Sequence, residues 1–161
     1  MPKKPDMIVV DDHLIFRQGL VAVITVENIA TVIGVASDGY EFIDLLSHLH
    51  PDVVLMDIDM PCMNGIEASR KALKLMPDLK IIAYTMFGEE EYYYKMIEIG
   101  VKGFVLKSSA IDELETAILE VLDGKTWFSL QFRNRMAENG KEDTSETALR
   151  QSLKTISDIP R

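Results

Sequence analysis

The sequence predicts an α/β fold, namely a doubly wound, five-stranded parallel sheet with helices on both faces. Five short apolar runs alternate strictly with five segments of helical periodicity. Strict alternation of strands and helices implies parallel strands joined by right-handed crossovers. The apolar runs are almost continuous, as expected for strands that are covered on both faces. The 161 residues, of which 47% are hydrophobic, are enough for one domain with a substantial core.

Each predicted strand is a short apolar run, and most of the runs are rich in β-branched residues. The third, VVLM, leads directly into an acid and then into a loop containing Pro and Gly, which is typical of a strand end. The predicted strands are Met7–Val10, Ala30–Ala36, Val53–Met56, Lys80–Tyr84 and Gly103–Leu106.

Start and stop signals bound the predicted helices. Asp38 stands three residues before Glu41, which resembles a capping box. Pro51 and Pro77 end the second and third helices, and Gly100 is suited to cap the fourth. The predicted helices are His13–Thr25, the segment from Asp38 to Leu49, Ile66–Met76, Glu89–Ile99 and Ser109–Leu122.

The composition changes after residue 128. We therefore expect a domain over residues 1–128 and a helical or linker tail over residues 129–161. Within the tail, Ser129–Glu138 suits a short helix and Asn139–Thr147 a polar linker, and Leu149, Leu153 and Ile156 form one weak apolar stripe. Such a tail has too few apolar residues to form a core alone.

The net charge of −9 argues against nucleic-acid binding through the overall field, because phosphate binding requires a basic surface. The only cysteine, Cys62, rules out an internal disulfide bond. No segment approaches the roughly 20 apolar residues of a membrane span, and the N-terminus has no signal-like apolar region. From these features we expect a cytoplasmic protein without membrane contacts.

Polar residues with chemical potential follow the predicted strands directly. Asp11 and Asp12 follow the first strand, Asp57 the third, Thr85 the fourth and Lys107 the fifth. The carboxyl ends of parallel strands lie at one edge, where open α/β sheets bind ligands. Clustered carboxylates need a cation, and hard oxygen ligands favour Mg²⁺. With an ammonium and a hydroxyl nearby, this set suits phosphoryl transfer to a carboxylate.

These motifs resemble the receiver domain of two-component response regulators, over about residues 6–128. The stretches DDHLIFRQGL and GVKGFVLKSS are most similar to the NarL/LuxR-type subfamily. The resemblance implies a flavodoxin-like (βα)5 fold with strand order 2-1-3-4-5. By the same resemblance, Asp57 within MDIDMPCMNG is the phosphoacceptor and Lys107 binds the phosphate. The metal ligands are Asp11, Asp12, Asp57 and the backbone carbonyl of Asp59. The switch residues are Thr85 and Phe104.

The mechanism that the resemblance implies begins with a sensor histidine kinase, from whose phosphohistidine Asp57 takes the phosphoryl group with Mg²⁺ bound. Thr85 then moves towards the phosphoryl oxygens, and Phe104 turns inward. The surface of the fourth helix, fifth strand and fifth helix changes as a result, and by analogy this face could form a homodimer. Such a protein is a switch that catalyses at most its own phosphorylation and slow dephosphorylation.

NarL/LuxR-type proteins usually carry a C-terminal helix-turn-helix domain that regulates transcription. Residues 129–161 are too few and too polar to form that domain. We therefore expect no direct nucleic-acid binding by this chain, and the cognate kinase and target genes stay open.

Three positions depart from the common receiver pattern. Ser108 follows Lys107 where receivers most often have a cis-proline, and the geometry of that bond stays open. Met86 stands beside Thr85 where many receivers have a small residue. The third departure is at the residues two beyond Asp57 and Thr85, namely Asp59 and Phe87, which resemble hydrolysis-tuning positions. Our hypothesis is that Met86 and Phe87 shield the phosphoryl group and slow its loss.

Two other functions compete with the switch. Asp57-Ile58-Asp59 could be the nucleophile motif of a haloacid-dehalogenase-type phosphatase, but that family places its nucleophile on the first strand. An inert receiver-like interaction module would be expected to lack part of the acidic set. Among single residues, His13 follows the acidic pair, but a hard-cation site at a helix start argues against metal ligation by it.

Overall fold

The computed structural model describes residues 3–86 and 90–128, which form six strands and five helices. The strands are β1 (Asp6–Val10), β2 (Thr31–Ala36), β3 (Val53–Met56), β4 (Ile81–Thr85), β5 (Gly103–Leu106) and β6 (Trp127–Phe128). The helices are α1 (Leu14–Val26), α2 (Gly39–Leu45), α3 (Gly65–Leu75), α4 (Glu90–Ile99) and α5 (Ile111–Leu122). The predicted tail segments and Phe87 lie outside the described residues, so the domain boundary stays a prediction.

The sheet has the order β2-β1-β3-β4-β5-β6, and every neighbouring pair is parallel. The predicted doubly wound sheet and its 2-1-3-4-5 order are therefore confirmed, but the expected number of strands was one too low. The sixth strand pairs Trp127 with Gly103 and Phe128 with Phe104. A strand of two residues shows no periodicity, so the sequence pattern could not indicate it.

The start of α2 follows the predicted capping chemistry. The Asp38 side chain accepts a hydrogen bond from the Glu41 N–H, while the Glu41 carboxylate accepts one from the Ser37 N–H. In the same way, Asn64 accepts a bond from the Glu67 N–H at the start of α3. The bonds accepted by Asp38 and Asn64 each satisfy an N–H group that the first helical turn leaves without a partner, whereas the Ser37 N–H precedes the helix.

The core consists of two layers, one on each face of the sheet. Alternate residues of β3 illustrate the division: Val54 and Met56 pack with α2, α3 and α4, whereas Val53 and Leu55 pack with α1 and α5. All four residues of β3 are buried. This two-sided burial explains why the strands are continuous apolar runs rather than alternating ones. No helix in the described ranges is long and apolar enough to cross a membrane.

Gly65 begins α3 in direct contact with the backbone that follows β3. Its N–H donates to the carbonyl of Ile58 at 2.8 Å. A Cβ atom at this position would lie 2.0 Å from the carbonyl oxygen of Asp57. Only glycine therefore lets α3 begin so close to the end of the central strand.

Replacing Gly65 by alanine should lower the free energy of unfolding by about 1–3 kcal/mol, because the backbone around Asp57 must move to admit the methyl group. Urea denaturation measures the change. Gly19→Ala is the matched control: its Cβ meets nothing within 4 Å, and alanine is favoured by up to about 1 kcal/mol in a helix interior. Equal effects of the two substitutions would contradict the steric argument.

Candidate functional site

The sheet aligns the residues that follow its strands. The N–H of Asp57 donates to the carbonyl of Val10 at 2.9 Å, so the pairing of β1 and β3 continues one residue past the strands. The N–H of Lys107 likewise donates to the carbonyl of Thr85 at 2.8 Å. Backbone hydrogen bonds therefore hold the site residues in register at the carboxyl edge, as the sequence predicted.

Lys107 lies between two carboxylates in the interior of this edge. Its Nζ is 2.6 Å from Asp11 Oδ2 and 3.3 Å from Asp57 Oδ2. The three side chains are only 2–4% exposed, although Lys107 and Asp11 are 96 positions apart. Buried charges need partners of opposite sign, and here one ammonium serves two acids.

The carboxylate of Asp57 is held at both oxygens. Oδ1 accepts the N–H of Ile58 at 2.8 Å, and Oδ2 faces Lys107. Burial raises the pKa of Asp57 above its ordinary value of 3.8; Lys107 opposes that shift, and the nearby Asp11 carboxylate adds to it. The side chain is thus a desolvated carboxylate whose charge is only partly compensated by the protein.

An aromatic wall supports the lysine. The Lys107 Nζ lies 4.3 Å from the ring centroid of Phe16 in α1, within the range of a cation–π contact. The Phe16 ring in turn packs at 6.0 Å from Tyr84, whose pKa is raised by burial and by Asp11. The sequence pattern did not indicate these contacts, because Phe16 and Tyr84 fit the apolar patterns of their elements. The only signal was that α1 begins directly after the acidic pair.

Asp12 and His13 complete a cluster of possible metal ligands. One ligand atom each from Asp11, Asp12, His13 and Asp57 lies within 4.8 Å of the others. Asp12 Oδ1 is buried and makes no hydrogen bond to the described residues. A buried carboxylate oxygen without a donor fits a cation, and this oxygen-rich set suits Mg²⁺. His13 lies within this cluster, although the sequence argued against metal ligation by it.

Other predicted site residues occupy different surroundings. Thr85 ends β4 and is fully buried, whereas Met86 is 63% exposed beside it. Asp59 is exposed in the loop after β3. None of the described peptide bonds is cis, so the bond between Lys107 and Ser108 is trans. This answers the question that the missing proline had left open.

Phe104, the predicted switch aromatic, is fully buried in an aromatic cluster. Its ring meets that of Tyr93 edge to face at 5.3 Å, and Tyr93 meets Phe128 in the same manner at 5.6 Å. Tyr93 is the buried member of the three consecutive tyrosines of α4, while Tyr92 and Tyr94 are half-buried. The cluster joins α4, β5 and β6.

Comparison with known proteins agrees with this fold and site. Residues 7–119 match the response regulator receiver domain family. The oxygen regulatory protein NreC of Staphylococcus aureus is 32% identical, over 88% of this chain and 68% of that protein. A LuxR-family response regulator from Aurantimonas sp. SI85-9A1 superposes with a TM-score of 0.82 at 32% identity, covering 87% of this chain and 100% of that chain.

A further solved structure supports the same assignment. The DNA-binding response regulator of the LuxR family from Staphylococcus aureus has a TM-score of 0.70 and 29% identity, over 73% of this chain and 98% of that chain. The chain belongs to the response regulator receiver family, in the LuxR/NarL class of two-component systems. Receiver domains of this family bind Mg²⁺ at an acidic pocket, where this chain has its carboxylate cluster.

The raised pKa of Asp57 predicts a pH-dependent stability in metal-free buffer. The folded protein holds the Asp57 proton more tightly than the unfolded chain, so ionisation costs stability as pH rises from about 3.8 through the raised pKa. Asp57→Asn removes that cost, so the free energy of unfolding of this variant relative to wild type should increase over the same range. Urea denaturation of both proteins in EDTA, at several pH values between roughly 3.5 and 7, measures the difference in the free energy of unfolding. A difference that does not vary with pH would contradict the prediction.

Proposed function

We propose that Asp57 accepts a phosphoryl group from a sensor histidine kinase and that the resulting charge switches the α4–β5–α5 face. The buried bridge that Lys107 makes to Asp11 and Asp57 is the observation that carries this proposal. It puts a nucleophilic carboxylate and a fixed positive charge in one water-poor pocket. Such a pocket can stabilise the charge of a transferring phosphoryl group.

The transfer exchanges one bond for another. A carboxylate oxygen of Asp57 bonds to phosphorus as the phosphorus–nitrogen bond of the donor phosphohistidine breaks, and the electron pair returns to the imidazole. Lys107 stays in place and neutralises phosphoryl oxygens. Asp11, Asp12, Asp57 and the Asp59 carbonyl would hold Mg²⁺, which supplies further charge neutralisation when bound. The protein is thus a stoichiometric switch rather than a turnover enzyme.

Two steps lead from phosphorylation to the surface. Thr85 ends the strand beside the site, and its hydroxyl is the predicted partner of the new phosphoryl oxygens. Phe104 is already buried against Tyr93, so it has no exposed position from which to turn inward. We therefore propose that its displacement moves Tyr93 and, through Tyr93, Phe128 at the end of the described chain. This reshapes the face through which a homodimer would form.

The output is proposed from the relatives. One structural relative is described as a DNA-binding response regulator, and the matched family acts in two-component signalling. We propose that residues 129–161 are a linker to a helix-turn-helix domain that controls transcription. DNA contacts would belong to that domain, because the charge of this chain is −9.

Incubation with acetyl phosphate and Mg²⁺ tests the proposed phosphoacceptor. Intact-protein mass spectrometry should show one phosphoryl group per chain in the wild type and none in Asp57→Asn. Asp59→Asn is the matched control, because Asp59 is exposed two residues away, and it should still be labelled. Continued turnover of a generic phosphate ester would instead favour the phosphatase alternative, and an unlabelled wild type would exclude the switch.

The shielding hypothesis for Met86 and Phe87 stays a prediction. Met86 is 63% exposed next to Thr85, where its side chain can cover the mouth of the pocket. Truncation to alanine should therefore speed hydrolysis of the phosphorylated protein, which the decay of the labelled species measures. Unchanged decay in Met86→Ala and Phe87→Ala would contradict shielding.

The proposed path through Tyr93 has a built-in reporter. Trp127 is the only tryptophan and neighbours Phe128 in β6. Beryllofluoride with Mg²⁺ should change its fluorescence in the wild type. The change should fall by at least about half in Tyr93→Leu, which removes the ring contacts with Phe104 and Phe128. Labelling of Asp57 should persist. Tyr92→Leu is the matched control and should respond like the wild type; an equal loss there would refute a specific role for Tyr93.

A further inference from the structure

The ring of His13 faces the acidic pair rather than solvent alone. Its Nδ1 lies 3.3 Å from Asp11 Oδ1 and 3.4 Å from Asp12 Oδ1. Adjacent ligand atoms around an octahedral cation, at roughly 2.1 Å from the ion, are about 3 Å apart. The nitrogen therefore already lies at nearly the spacing of a neighbouring corner of a coordination shell from each of the two oxygens.

The backbone of His13 is held beside the acids. The N–H of His13 donates to Asp11 Oδ1 at 2.8 Å, and its carbonyl accepts the N–H of Arg17 at 2.8 Å. His13 occupies the N-cap position of α1, yet its side chain makes no capping hydrogen bond. The ring is thus not engaged in helix capping, while the backbone N–H and carbonyl of the residue are both hydrogen-bonded.

Different oxygens of the acids contact Lys107 and the Nδ1 atom of His13. Lys107 contacts Oδ2 of Asp11 and Oδ2 of Asp57. Oδ1 of Asp11 and the buried Oδ1 of Asp12 point to the side where His13 lies, and the Asp12 atom has no hydrogen-bond donor among the described residues. A cation in contact with these oxygens would have an imidazole nitrogen within reach, in addition to water and carboxylate.

We propose that His13 is a nitrogen ligand of the divalent cation bound by Asp11, Asp12 and Asp57, so that this site prefers first-row transition ions such as Mn²⁺, Co²⁺ and Ni²⁺ over Mg²⁺. The inference rests on the proposed phosphoacceptor site and deepens it. Imidazole is a poor ligand for Mg²⁺ but a good one for the later ions, whose affinity for nitrogen sites rises from Mn²⁺ to Ni²⁺. A histidine that only paired with the two acids would affect all four ions alike.

Calorimetric titration of the tag-free chain with Mg²⁺, Mn²⁺, Co²⁺ and Ni²⁺ tests the proposal. His13→Asn should weaken Ni²⁺ binding by about tenfold or more, Mn²⁺ binding less, and Mg²⁺ binding by less than about twofold. Asparagine is a favoured N-cap residue, so α1 should be retained. His48→Ala is the matched control: His48 contacts Ser47 in another part of the fold and should leave all four affinities unchanged. A loss that is equal for all ions, or absent for Ni²⁺, would overturn the proposal.

Electron spin-echo envelope modulation of bound Mn²⁺ detects nitrogen ligands directly and gives a second test. The wild type should show coupling to a histidine ¹⁴N nucleus, and His13→Asn should not; a wild type without that coupling contradicts ligation. The Asp57→Asn variant distinguishes failure of the proposed His13 ligand from failure of the proposed phosphoacceptor site. If Mg²⁺ binds and depends on Asp57 while the ion series is flat, only the role of His13 fails. If no ion binding depends on Asp57, the proposed site itself fails.

Discussion

The pocket depends on one ion-pair arrangement, the ammonium of Lys107 between the carboxylates of Asp11 and Asp57. All three groups are almost completely buried, and an isolated charge there would be strongly unfavourable. The arrangement exists because three strands deliver these residues to one edge, with backbone hydrogen bonds continuing past the strand ends. The remaining negative charge is what makes the pocket suitable for a cation and, with the cation, for a phosphoryl group.

The same sheet that assembles the pocket also connects it to the opposite layers of the core. On one face, α1 brings Phe16 against Lys107 and so supports the bridge. On the other face, Phe104 packs against Tyr93, which reaches Phe128 on the last strand. Each face of the sheet therefore carries its own aromatic contacts, and the two sets lie in different layers of the core.

Sequence patterns located most of the architecture because strands, caps and breakers are local signals. Asp38 and Glu41 form the cap that their spacing predicted, and the five apolar runs became the five main strands. The short strand at Trp127–Phe128 escaped because its only evidence is its pairing with β5. Phe16 was not identified beside the site because it fits a core position of its helix, and metal ligation by His13 was argued against because the residue stands at a helix start beside a hard-cation site.

The sequence by itself determined which groups follow which strand, and parallel topology then placed those groups on a common edge. The tertiary structure alone decided how close the groups approach, which of them are buried and which way the ring of His13 faces. The physical reason is that burial and distance depend on atoms contributed by segments as far apart as Asp11 and Lys107, 96 positions along the chain. Local periodicity carries no information about that packing, and the raised pKa of Asp57 is a consequence of it.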